Sequence, residues 1–140
     1  MKIVLALFFY LSFFTSYGQS PIGVWKTVDD ATMEEKSNVT IYEENGKLFG
    51  KITKILSAAP DSICEECPGD KKGKPVMGLV IIEDLKPDDG YWKRGKIMDP
   101  ENGNVYGCSI WIEDDKPDQL KVRGKHWTGF YRTQTWHRVK

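Results

Sequence analysis

Apolar and polar residues alternate with period two along most of the chain beyond its N-terminal segment, and no stretch sustains a 3.6-residue period. Residues 22–28 predict a short strand, entered through Pro21 at a position where a strand can begin. Residues 29–36 are polar and predict a loop or a single helical turn. Residues 37–44 alternate cleanly, with Val39 and Ile41 on one side and Thr40 and Tyr42 on the other. Asn45-Gly46 then supplies a hairpin turn, because both central residues of a type I′ turn need positive φ. The return strand spans 47–56, and Gly50 inside it predicts a bend or a close backbone approach.

Residues 57–75 break the pattern with prolines, glycines, clustered charges and the pair Cys64 and Cys67. Strands are expected again at 76–85, 91–98 and 105–113. Turns fall at 86–90 and at 99–104, the latter with Asn102-Gly103 at its tip. After a turn at 114–118 the chain closes with a pair at 120–125 and 129–139. The total is about eight strands joined by mostly short turns, which predicts an all-β antiparallel meander. A meander of this kind closes most economically into a small up-and-down β-barrel, since closure removes exposed edges. A two-sheet β-sandwich is the alternative.

The N-terminus adds a compartment. Lys2 precedes an apolar run over residues 3–14, and Ser16-Tyr17-Gly18 offers small residues where a signal peptidase reads. The run is shorter than the roughly 20 residues of a permanent span. Residues 1–18 are therefore expected to be a signal peptide and 19–140 a single exported domain, periplasmic or secreted, with no membrane span after cleavage. Lys and Arg number 20, as do Asp and Glu, so formal charge is zero. No basic block or stripe marks a nucleic-acid partner.

The closing strand carries the most suggestive chemistry. Phe130, Arg132, Gln134, Trp136 and Arg138 share one face, aromatic at both ends and polar between. Arg132 and Gln134 between aromatics suit a polar head site beside apolar walls, which Tyr106 and Trp25 could complete. Equally, an arginine there could stack on Trp25 or Trp136 and close the barrel. Arg123 is a further candidate, unless its alternation with Val122 turns it outward.

Cys64 and Cys67 admit several readings. A redox pair needs a thiolate, which the intervening glutamates and the following Pro68-Gly69 disfavour. Zinc needs further ligands, and Cys108 with His126 or His137 matches no zinc spacing. A disulfide fits an oxidising compartment. The local pair is preferred because it fixes an irregular loop. Pairing of either cysteine with Cys108 remains open, and would close about 40 residues with a chain-entropy gain near 4 kcal/mol. Asp99 and Glu101 fail the spacing of a calcium loop, and Asp99 is expected to bond the turn backbone. No serine-nucleophile or phosphate-binding motif is present, so no catalytic residue, metal or cofactor is assigned.

Gly23-Val24-Trp25 resembles the Gly-x-Trp start of the lipocalin and fatty-acid-binding barrels. That resemblance implies a tryptophan closing one barrel end under a late-strand arginine, here Arg138 or Arg132. It also implies an arginine on the late strands that receives a ligand carboxylate. A broader pattern unites Gly23-Val24-Trp25, the hairpin at 45–52 and Cys64 with Cys67. It continues through residues 99–103, Tyr106-Gly107-Cys108, Val122-Arg123-Gly124 and Arg132-Thr133-Gln134-Thr135-Trp136. Together these resemble the exported bacterial family called domain of unknown function 2147. The resemblance implies a lipocalin-like barrel and brings no established activity. Lys125-His126-Trp127 departs from the hydrophobic, glycine-containing turn of that pattern. Two non-enzymatic functions follow: binding of a small amphipathic or anionic ligand inside the barrel, or a filled barrel acting through its loops on an envelope protein partner. Cavity volume separates them, and 5 tryptophans favour filling.

Overall fold

The computed structural model describes residues 19–140, and the signal peptide expected at 1–18 lies outside them. Eight strands follow in order: β1 Gly23–Val28, β2 Glu35–Glu44, β3 Lys47–Ile55, β4 Val80–Asp88, β5 Tyr91–Met98, β6 Val105–Trp111, β7 Gln119–Lys125 and β8 Tyr131–Arg138. Each pairs antiparallel with the next, and β8 returns to β1 through Trp25–Arg138 and Lys26–His137. The sheet is a closed barrel, not a two-sheet sandwich. A 3-10 turn at Gly69–Lys71 is the one helical element among the described residues. No helix there is long and apolar enough to cross a membrane.

Most strand positions match the alternation, and the largest shift has a local cause. The fourth strand, expected at 76–85, runs instead from Val80 to Asp88. Gly78 at φ 84° kinks the chain before Val80. Ile63 and Pro75 form their own small bridge within the long β3–β4 connection. At the other end Pro87 stays in the strand opposite Trp92.

One barrel end is plugged by Trp25. Its ring lies fully buried beneath the Arg138 guanidinium, 4.2 Å from the ring centroid. The indole N–H donates to Pro21 O at 2.8 Å, while Arg138 donates to Ser20 O and Pro117 O at 3.1 and 3.3 Å. Arg138 also faces Asp118 at 3.7 Å. Gly23 is required here: its φ is 140°, and an added Cβ would lie 3.2 Å from an Arg138 nitrogen. Of the two arginines suited to this stack, Arg138 takes it.

Above the plug, Ile41, Leu48, Leu85, Ile110 and Leu120 are all fully buried, so this half of the barrel is filled by side chains. The β4–β5 pair bends sharply where Asp84 and Arg94 take φ of 59° and 60°. Gly95 sits inside that bend. A Cβ there would approach Glu83 O to 2.6 Å and Leu85 to 2.8 Å. Gly95→Ala therefore overpacks a wall backed by main chain and should destabilise the barrel by about 1–3 kcal/mol. Urea denaturation measures this as a lowered midpoint at unchanged slope; an unchanged midpoint would show that the bend yields freely.

Candidate ligand cavity at the open end

The opposite end carries the loops β1–β2, β3–β4, β5–β6 and β7–β8, and polar side chains build each of them. Asp29 accepts from the backbone N–H of Ala31 and Thr32 at 2.8 and 3.0 Å. The bonds from Thr32 and Ala31 hold its carboxyl below the ordinary range. Asp99 accepts from Glu101 N–H at 2.9 Å and from the Asn102 amide at 3.2 Å, the turn role expected of it. Gly103, at φ 74°, presses that loop against the Glu66 carbonyl with no room for a Cβ. The rim thus docks the β5–β6 turn onto the cysteine loop.

Cys64 and Cys67 are joined as a disulfide and buried, leaving Cys108 as a buried free thiol. The local pairing preferred from sequence is the one formed. The loop it closes is pinned again by Lys71, whose ammonium reaches Val80 O at 3.0 Å and Glu83 at 2.5 Å. Burial pushes the Cys108 thiol up to about 12. It behaves as a small apolar wall residue, not a nucleophile.

Inside this end the barrel is hollow. A cavity of about 440 Å³ opens between the loops, within the size range of small-molecule sites. Its inner walls include Ile52, Ile81, Ile97, Met98, Val122 and Trp136. Polar groups gather toward the mouth. Lys36 bridges Glu34 and Glu101 at 3.1 and 3.2 Å, and those two hydrogen bonds raise its pKa. Arg132 reaches Asp30 at 3.3 Å, tying β8 to the β1–β2 loop. A second cleft of about 340 Å³ beneath the β3–β4 loop shares Lys36, Ser37, Ile52, Pro100 and Glu101 with the first.

Of the residues singled out from sequence, Arg132, Gln134, Trp136 and Tyr106 come together around this cavity. Gln134 Oε1 accepts the Trp136 indole N–H at 3.2 Å, which leaves the Gln134 amide donors to the cavity side. Two candidates do not join them. Trp25 plugs the far end. Arg123 points outward, as strict alternation with the buried Val122 requires. It lies 5.0 Å from the Trp111 ring and 4.2 Å from that of Tyr131, and donates to Thr133 at 2.9 Å. Outer-face aromatics occupy it, so it cannot meet a ligand within the barrel. Phe130 lines the mouth while remaining 81% exposed.

Sequence reasoning passed over the hydroxyl pair Thr27 and Ser37, 3.0 Å apart on the cavity wall. A signal for both existed. Thr27 stands two residues beyond Trp25 and Ser37 two before Val39, so period two turns both inward. Lys36 gave no such signal, because its role depends on Glu101 arriving from another loop.

A closed antiparallel barrel with one end plugged by a tryptophan–arginine stack and the other open on a cavity is a lipocalin-like fold. The model of the family described as "Uncharacterized protein conserved in bacteria (DUF2147)" matches residues 23–138, and the chain belongs to that family. Among solved structures, this chain is similar to protein HP1028 from the human pathogen Helicobacter pylori, which belongs to the lipocalin family. That likeness has a TM-score of 0.74 at 20% identity, over 86% of this chain and 84% of that one. It establishes the shared fold. No curated protein matches the chain.

The cysteine assignment makes a countable prediction. With a thiol pKa of about 12, roughly one Cys108 in ten thousand is thiolate at pH 8. Iodoacetamide should add nothing to the native protein, and a single group after denaturation without reductant. After reduction it should label all 3 cysteines. Labelling of all of them without reductant would remove the disulfide.

Proposed function

We propose that this protein is an exported, non-enzymatic carrier that holds a small amphipathic ligand in the open half of its barrel. The observation that carries the reading is the division of the barrel interior. Close-packed residues fill the half above Trp25, while the other half keeps a cavity with apolar walls and a polar mouth. An apolar tail would lie against Ile52, Ile81, Val122 and Trp136. A head group would meet the Gln134 amide, the Tyr106 ring edge and the Arg132 guanidinium at the rim.

The charges at the mouth bear on which head group fits. Asp29, Asp99 and Glu101 line it together with Lys36, His126 and Arg132. Asp29 and Asp99 are engaged by their own loops, and Glu101 by Lys36. Arg132 is held only at an exposed rim position by Asp30, so it can exchange that partner for an anionic or hydroxylated head group. Export is supported by the charged-apolar-small order of residues 1–18 and accords with a disulfide in the rim loop. A filled barrel acting only through its loops is the weaker reading, because the open half holds a cavity.

Native mass spectrometry of the protein from its own source tests the proposal. The expected result is an added mass that dissociates on unfolding. Gly124 faces the cavity, and a Cβ there meets neighbours no closer than 3.5 Å. Gly124→Phe should therefore fold and fill the cavity, abolishing the added mass. Arg132→Ala should weaken retention by about tenfold if the guanidinium meets the head group. A bare mass in the parent protein, with no uptake from a lipid and metabolite extract, would end the carrier reading.

A further inference from the structure

The tip of the β7–β8 hairpin is the most exposed apolar feature among the described residues. Trp127 is 90% exposed, Phe130 81% and Tyr131 62%. The tip is built to hold them out. Gly129, at φ 100°, donates its N–H to His126 O at 2.9 Å, and His126 N–H donates to Phe130 O at 2.7 Å. His126 Nδ1 also lies 2.7 Å from Thr128 Oγ1 and accepts the Thr128 N–H at 3.3 Å. Trp127 therefore projects from a cross-braced turn, with its ring 5.4 Å from that of His126.

Charge is as uneven as hydrophobicity. From Gln119 to Lys140 the chain has no Asp or Glu; Arg123, Lys125 and Arg132 lie on the half of this hairpin nearest the mouth, while Arg138 and Lys140 lie at the plugged end. Lys125 stands exposed at the base of the tip, and none of the ion pairs among the described residues includes it. The other three loops of this end, residues 29–34, 56–79 and 99–104, carry nine carboxylates against Lys71, Lys72 and Lys74. One side of the mouth is thus aromatic and basic, and the other net acidic.

We propose that this tip docks the open end of the barrel onto an anionic lipid bilayer. Trp127 and Phe130 enter the interfacial layer, Lys125 meets lipid phosphates, and the acidic loops stay turned to water. Three features favour a bilayer over a folded partner. Tryptophan and tyrosine partition to the depth where apolar chains meet head groups. Basic residues beside them add attraction to anionic lipid. A projecting tip can sink into a fluid surface without a matching pocket, whereas a stable protein interface needs about 1,200 Å² of complementary area. His126, Phe130, Tyr131 and Arg132 belong to both the tip and the cavity lining, so docking brings the β7–β8 side of the mouth to the lipid. The inference goes beyond the carrier reading, and it is tested without any cavity ligand.

The protein is sedimented with vesicles of phosphatidylcholine alone, and with vesicles of phosphatidylcholine and phosphatidylglycerol, at low and high salt. Binding is expected to the anionic vesicles and to weaken as salt rises. Trp127→Ala with Phe130→Ala should lower partitioning by about tenfold or more. Lys125→Glu should remove the preference for phosphatidylglycerol. All three positions are exposed, so thermal melts of these variants should match the parent. Gly124→Phe, which empties the cavity of ligand, should still bind vesicles. Absence of binding to anionic vesicles, or binding unchanged in the double variant, overturns the proposal. So does a tip that proves necessary only for capturing a protein.

Discussion

The Arg138–Trp25 stack does the work that makes the remainder of the fold possible. An eight-strand meander becomes a barrel only when its last strand finds its first, and β8 meets β1 through few residue pairs. One of those pairs is Trp25 with Arg138 itself. The guanidinium covers the ring and satisfies the Ser20 and Pro117 carbonyls, which a closed end would otherwise leave short of donors. Seam and plug are thus one interaction, and Gly23 is small because the arginine passes over it.

With one end closed by side chains, the other end is free to be hollow. The fully buried layer of Ile41, Leu48, Leu85, Ile110 and Leu120 supplies stability where no ligand has to enter. The cavity layer above it can then leave space unfilled without losing the fold. Its rim is held by polar chemistry in place of packing: carboxylates cap their own loops, Lys36 bridges separate loops, and a disulfide fixes the longest connection. Loops held by caps and ion pairs can bear exposed aromatics and charges that a packed core would not tolerate, as the β7–β8 tip does.

Much of the fold could be read before any coordinates. The strands announce themselves by period two, and the turns by Asn45-Gly46 and Asn102-Gly103. The inward set Arg132, Gln134 and Trp136 follows from alternation, whereas the local cysteine pair is a preference that the structure settles. Strand β4 shows where this reasoning ends. Residues 76–79 look like strand by composition, yet Gly78 and the bridge of Ile63 with Pro75 draw them into the loop. Arg123 shows the same limit from the other side, since its residue type suits a ligand while its parity faces the solvent side of the wall.

The all-β class, the order and direction of the strands, and the residues able to face inward are legible in the chain, because these depend on local turn chemistry and on a side-chain period of two. Which arginine stacks on Trp25, how far up the barrel the packing reaches, and which loops meet across the mouth are settled in the assembled barrel. Those outcomes depend on strand stagger around a closed sheet, and stagger is set by every pairing at once. Trp25, Arg132 and Arg138 carry the same chemistry in either description; their height along the barrel separates a plug from a rim.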